Sequence, residues 1–180
     1  MAVFVSMLRG INVIGHNRIK MKDLRELYKT LDMKKVRTYL QSGNVIFDSN
    51  EQNPNILKEI IEKGLKKAFG FEVKALLRTT EELKTTIDNN PFLTESNIDP
   101  EKLYVTFLSS PLDSTRLKNL PANQNKNDRF IISNEEIYLQ CPNGYGRTKF
   151  SNDFFEKKLK LTATTRNWKT VNALLEMARN

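Results

Sequence analysis

Apolar positions along the chain alternate between short runs and helical stripes. Residues 3–8, Val-Phe-Val-Ser-Met-Leu, make a near-continuous run of strand length, after which Leu24, Leu27, Tyr28 and Leu31 repeat at i, i+3, i+4 and i+7 and mark one buried helix face. Residues 35–40 then set Val36, Thr38 and Leu40 against Arg37 and Tyr39. A further strand over 44–48 follows across Ser42-Gly43, so the two predict a hairpin. The next helix carries signals at both ends: Asn53 to cap it, Pro54 in its first turn, Leu57, Ile60, Ile61, Leu65 and Ala68 along one face, and Gly70 to stop it. Residues 73–78 close the unit as a strand.

This order, β-α-β-β-α-β over residues 1–80, is the ferredoxin-like pattern. Residues 81–100 read as a connecting helix and linker: Thr79 and Glu82 have capping-box spacing, and Asn89-Asn90-Pro91 breaks the helix. Residues 101–180 read as a second α+β subdomain. It has a strand over 103–108, a short helix over 114–120 and a hairpin of 129–132 with 137–140 around Asn134-Glu135. A helix capped by Ser151 carries Phe154, Phe155 and Leu159, and a last helix turns Val171, Leu174, Leu175 and Ala178 inward. The fold class is therefore α+β: a ferredoxin-like unit followed by a related unit that ends in helices. The second half is expected to repeat β-α-β-β-α and to end in a helix where the first has a strand, without a residue-level repeat. Residues 121–128, rich in Asn and Lys, read as a polar loop.

Composition narrows the setting. The 180 residues are 39% hydrophobic and 28% charged, as in folded globular chains. No apolar run nears the ~20 residues of a membrane span, and no positive region precedes the first apolar run, so neither a membrane partner nor a signal peptide is expected. The single Cys141 excludes an internal disulfide and, with one histidine, His16, leaves no metal site; the cytoplasm is the natural compartment, and no cofactor is implied. A formal charge of +8 and a pI near 9.5 favour anionic partners. A merely soluble basic surface would have the same balance.

Three segments hold clustered chemistry. The first joins Leu8-Arg9-Gly10-Ile11-Asn12-Val13 to Gly15-His16-Asn17-Arg18-Ile19-Lys20-Met21, and the second is Tyr39-Leu40-Gln41-Ser42-Gly43-Asn44-Val45. The third combines Gly144-Tyr145-Gly146-Arg147-Thr148-Lys149 with Thr164-Thr165-Arg166-Asn167-Trp168 and Thr170-Val171. On these motifs the chain resembles the domain-of-unknown-function 1697 family, which implies a shared fold and shared residues but no reaction. Ile14 stands where a small residue is expected, which predicts a looser turn there.

In a ferredoxin-like unit strands one and three are antiparallel neighbours, so residues 9–20 should meet residues 41–44 at one edge of the sheet. Arg9, Arg18 and Lys20 would there add to the positive end of the first helix, while Asn12, Gln41, Ser42 and Asn44 would orient a ligand through neutral hydrogen bonds. Turn chemistry is the better account of Gly43, Gly10 and Gly15, and Asn12 or Asn17 could simply hydrogen-bond its own backbone. A turn does not call for a guanidinium or a side-chain amide, which favours function for Arg9 with Gln41. Arg147 and Lys149 form a second basic loop without P-loop spacing. Arg166 and Asn167 could reach the same ligand, or Asn167 could simply cap the last helix.

Other chemistry is thin. His16 reads as a solvent-facing loop residue, and Cys141 as a small buried residue at a strand end. The third strand lacks the paired aromatics with which RNA-recognition sheets stack bases. Three classes remain, in order of preference: a binding protein for a nucleotide or phosphorylated small molecule, an enzyme acting on such a ligand, and a nucleic-acid or protein interaction module. Catalytic residues are not identifiable.

Overall fold

The structure is a computed structural model that describes residues 1–121 and 127–180. The polar loop expected over 121–128 lies mostly outside the described residues. The chain divides into two units, Met1–Lys84 with Leu174–Asn180, and Thr85–Ala173.

The first unit runs β1 (Ala2–Leu8), α1 (Met21–Thr30), β2 (Lys34–Tyr39), β3 (Asn44–Ser49), α2 (Pro54–Phe69) and β4 (Ala75–Thr79). Its antiparallel sheet has the order β2-β3-β1-β4, which puts β1 at the centre with Phe4 opposite Phe47 on one side and Thr79 on the other. Alternation along β1 sends Phe4 and Leu8 into a core with Val45, Phe47, Ala75 and Leu77 from the sheet and Leu24, Tyr28, Leu57, Ile61 and Leu65 from the helices. Each valine, leucine, isoleucine or phenylalanine among them contributes roughly 1.5–3 kcal/mol on burial. Tyr28 sets its ring edge-on to Phe47 at 5.5 Å, and its hydroxyl lies 2.9 Å from Ser6 Oγ. The opposite face, with Val5, Met7, Ile46 and Leu76, is buried too. Burial on both faces is why residues 3–8 read as a run rather than an alternation.

Local signals set the helix ends. Asn53 Oδ1 accepts the Asn55 N–H at 2.9 Å, Pro54 fills the first position, and Gly70 at φ 80° ends α2 by donating to the Lys66 carbonyl. Two members of the expected apolar face depart from it: Ile60 is 37% exposed and Ala68 is exposed, because the buried stripe is the narrower Leu57-Ile61-Leu65 row. Leu40 also leaves its expected strand. It sits at φ 59° in the turn after β2, exposed.

α3 (Thr80–Asp88) begins with the expected capping box, in which Thr79 N–H donates to Glu82 Oε2 at 2.7 Å and Glu82 N–H to Thr79 Oγ1 at 3.2 Å. The second unit holds β5 (Leu103–Leu108), α4 (Ser114–Leu117), β6 (Arg129–Ser133), β7 (Glu136–Gln140), α5 (Asn152–Leu159) and β8 (Ala163–Asn167). α6 (Trp168–Arg179) follows. The sheet order is β6-β7-β5-β8, the same as in the first unit. The second half thus completes β-α-β-β-α-β before its last helix, which corrects the expectation that a helix stands in place of the fourth strand. Among the described residues β8 pairs with β5 alone, and its sequence, Ala-Thr-Thr-Arg-Asn, gives no apolar alternation to reveal it. Phe130, with its ring 4.8 Å from Phe150 and 5.6 Å from Phe155, centres the core of this unit. No helix among the described residues is long and apolar enough to cross a membrane.

Candidate functional site

The pairing of β1 with β3 brings the two N-terminal motifs together, as Leu8 N–H donates to the Gly43 carbonyl at 2.9 Å. Asn12, at φ 54°, then clamps the loop that follows β1. Its Nδ2 donates to the Gln41 carbonyl at 2.7 Å and to the Ile19 carbonyl at 3.0 Å, and its Oδ1 accepts the Ile19 N–H at 2.8 Å. Between the clamped ends, His16 N–H donates to the Val13 carbonyl at 2.9 Å and Gly15 takes φ 81°. The turn is therefore tight despite Ile14. In a type II arrangement only the third position needs a positive φ, and Ile14 holds the second.

A cleft of about 610 Å³ opens beside this loop, lined among others by Ile14, Arg18, Lys20, Asp23, Gln41 and Phe69. Arg18 and Lys20 are exposed, and neither has a side-chain hydrogen bond or an ion-pair partner among the described residues. Lys20 is also the N-cap of α1 but gives no side-chain cap, and the first helical bond runs from Leu24 N–H to the Lys20 carbonyl at 3.0 Å. The backbone N–H groups of the first turn add positive potential at this end. Asp23 sets one carboxylate against the two cations.

The other expected site residues are placed as follows. Arg9 does not line the cleft; its N–H donates to the Lys74 carbonyl on the β4 side. Asn44 is buried, and its Nδ2 donates to the Tyr39 carbonyl at 2.8 Å and to Ser42 Oγ at 3.0 Å, so the two side chains close the β2–β3 hairpin. The remaining four residues lie in the second unit. Arg147 and Lys149 are exposed, whereas Arg166 is buried and donates to Thr164 Oγ1 at 2.8 Å and to the Thr165 carbonyl at 3.0 Å. Asn167 Oδ1 accepts the Thr170 N–H at 2.8 Å at the start of α6. Ile14, Asp23 and Phe69 line the cleft without having been singled out from the sequence as ligand-binding residues.

Reactive side chains lie elsewhere. His16 is exposed in the tight turn, and no group of three His, Cys, Asp or Glu residues among the described residues could hold a metal. Cys141 is buried in the second core, and burial pushes its thiol from about 9.0 up to about 11, against a smaller opposing effect of the Thr148 hydrogen bond. At pH 8, three units lower, about one thiol in a thousand is ionised. Native protein should therefore resist a thiol reagent that reacts within seconds once urea unfolds the chain; equal rates in both states would contradict this burial. Because the folded state holds this proton more tightly, its contribution to stability is intact below pH ~9 and is lost as pH rises towards 11. The sheet face on which RNA-recognition domains stack bases is here buried, through Val5, Met7, Ile46 and Leu76.

The model of a family described as protein of unknown function (DUF1697) matches residues 1–138, which include the first two motifs. No curated protein matches the chain. Among solved structures, the conserved bacterial protein SP0830 from Streptococcus pneumoniae is similar with a TM-score of 0.75 at 22% identity, over 100% of this chain and 99% of that one. At that identity the likeness shows the fold alone.

Proposed function

The chain belongs to the DUF1697 family of proteins of unknown function, and on that scaffold we propose that the cleft beside α1 binds an anionic small molecule, a nucleotide or a phosphorylated metabolite. The observation that carries this reading is that Arg18 and Lys20 line one 610 Å³ cleft without ion-pair partners among the described residues. A surface selected only for solubility has no need to direct two such cations, a side-chain amide and an uncapped helix start at one concavity. The volume falls within the ~300–1,000 Å³ of small-molecule sites. Charge-assisted hydrogen bonds contribute about 1.5–3 kcal/mol each, enough for two cations to outweigh one exposed carboxylate whose field is screened within ~8 Å at physiological salt. Asp23 would instead accept a hydrogen bond from a ligand hydroxyl or amine.

A thermal-shift screen of nucleotides, sugar phosphates and oligonucleotides tests the reading. A ligand at a hundred times its Kd adds about 2.7 kcal/mol, or roughly 5–11 °C in Tm for a chain of this size. The double variant Arg18→Ala/Lys20→Ala should lose that shift, while its unliganded Tm stays within ~1 °C of wild type because both side chains are exposed. A full shift in the double variant, or no response of the wild type to any member of the screen, would reject the site. A steep loss of affinity with salt, at a slope of roughly 0.9 per neutralised phosphate for duplex DNA, would point to nucleic acid instead.

A further inference from the structure

We infer that the anion held in this cleft carries a nucleobase, so that its class is a nucleoside monophosphate rather than a sugar phosphate or free phosphate; this rests on the anion reading above. The apolar lining is the reason. Ile14 is 94% exposed, yet it belongs to the same concavity as Arg18 and Lys20, and the half-buried ring of Phe69 lines that concavity too. A single exposed isoleucine on a convex surface needs no explanation, but an isoleucine and an aromatic ring sharing a cleft with two cations that are unpaired among the described residues make a lining that is apolar in one part and cationic in another.

The isoleucine is also held in place. The Val13–His16 turn closes on a 2.9 Å backbone hydrogen bond, and Asn12 ties both ends of its loop to Gln41 and Ile19, so the Ile14 backbone is ordered before any ligand arrives. Phe69 also packs against Phe71, with ring centroids 6.3 Å apart. A sugar phosphate would satisfy Arg18, Lys20 and Asp23 but bring only hydroxyls to Ile14 and Phe69. A nucleoside monophosphate matches every part: its phosphate meets the cations, its ribose hydroxyls donate to Asp23, its flat base covers Ile14 and Phe69, and the base edge finds both donors and an acceptor in the Gln41 amide.

Calorimetric titration of the full chain with the four ribonucleoside 5′-monophosphates, ribose 5-phosphate and inorganic phosphate decides the matter, with Ile14→Ser as the probing variant because that side chain supports no core. At least one nucleoside monophosphate should bind about tenfold or more tightly than ribose 5-phosphate. Ile14→Ser should narrow that preference several-fold, with Phe69 and Gln41 keeping the rest, while leaving the sugar phosphate unchanged. Equal binding of nucleotide and ribose 5-phosphate by the wild type, or an undiminished preference in Ile14→Ser, would overturn the base-recognition proposal and leave the anion reading standing. If none of the six compounds binds, the base proposal falls, and a blank result in the wider screen then removes the anion reading as well.

Discussion

Gly43→Ala will lower the stability of the protein by about 2–5 kcal/mol, measured as a drop in urea midpoint at unchanged slope, and is the most damaging single-methyl addition expected in the first unit. Two costs combine. At φ 79° an alanine is strained by roughly 1–2 kcal/mol, and the new Cβ would stand 2.6 Å from Ile11 Cδ1 and 2.9 Å from both Ile11 Cγ1 and Leu8 Cβ. The isoleucine tip can swing aside, but Leu8 Cβ is fixed on the central strand, so the hairpin must move away from β1. Overpacking of that kind costs typically 1–3 kcal/mol. Gly15→Ala isolates the first term, since it has φ 81° but nothing within 4 Å of the added carbon, and should cost only that roughly 1–2 kcal/mol. Equal losses in the two variants would mean that the loop does not rest on Gly43.

Asn12→Ala should cost about 2–4 kcal/mol. It removes three hydrogen bonds, leaves the Gln41 carbonyl and the Ile19 N–H and carbonyl without their side-chain partner, and puts alanine at φ 54°. Asn12→Gly loses the same bonds without the backbone strain and should recover about 1 kcal/mol relative to alanine. The variants should also weaken any ligand of the cleft, because Arg18 and Ile14 take their positions from the loop that Asn12 closes. An Asn12→Ala protein as stable as wild type would show that the clamp is dispensable.

How much of this was legible depended on the physical scale of each feature. The meeting of residues 9–20 with residues 41–44 follows from topology, since strands one and three pair antiparallel whatever their side chains. Phe69 was within reach of the same reasoning. Helices that follow antiparallel strands run antiparallel themselves, so the end of α2 belongs beside the start of α1. Arg9 shows the limit: its guanidinium looked like ligand chemistry, but it stands just past the end of β1 at Leu8 and does not line the cleft. Asn12 and Asn44 had both a turn reading and a ligand reading in the sequence, and their hydrogen bonds show the amides used on the loop and the hairpin. β8 stayed hidden because threonine-rich edge strands have a β-branched preference without an apolar period, and Leu40 misled because a leucine in phase with Val36 and Thr38 turned out to occupy a turn.

The first unit is discontinuous, and that has a consequence for synthesis. Leu174–Asn180 belongs with Met1–Lys84, and Arg37 Nη2 donates to the Met177 carbonyl at 2.6 Å. On the ribosome these last residues emerge only after the 89 positions of Thr85–Ala173 have been translated, about 4–18 s later at 5–20 residues per second. The nascent N-terminal unit must wait through that interval without its final segment, whereas the interrupting unit leaves the exit tunnel as one uninterrupted stretch. The order in which the two units can be finished is therefore the reverse of the order in which they are begun.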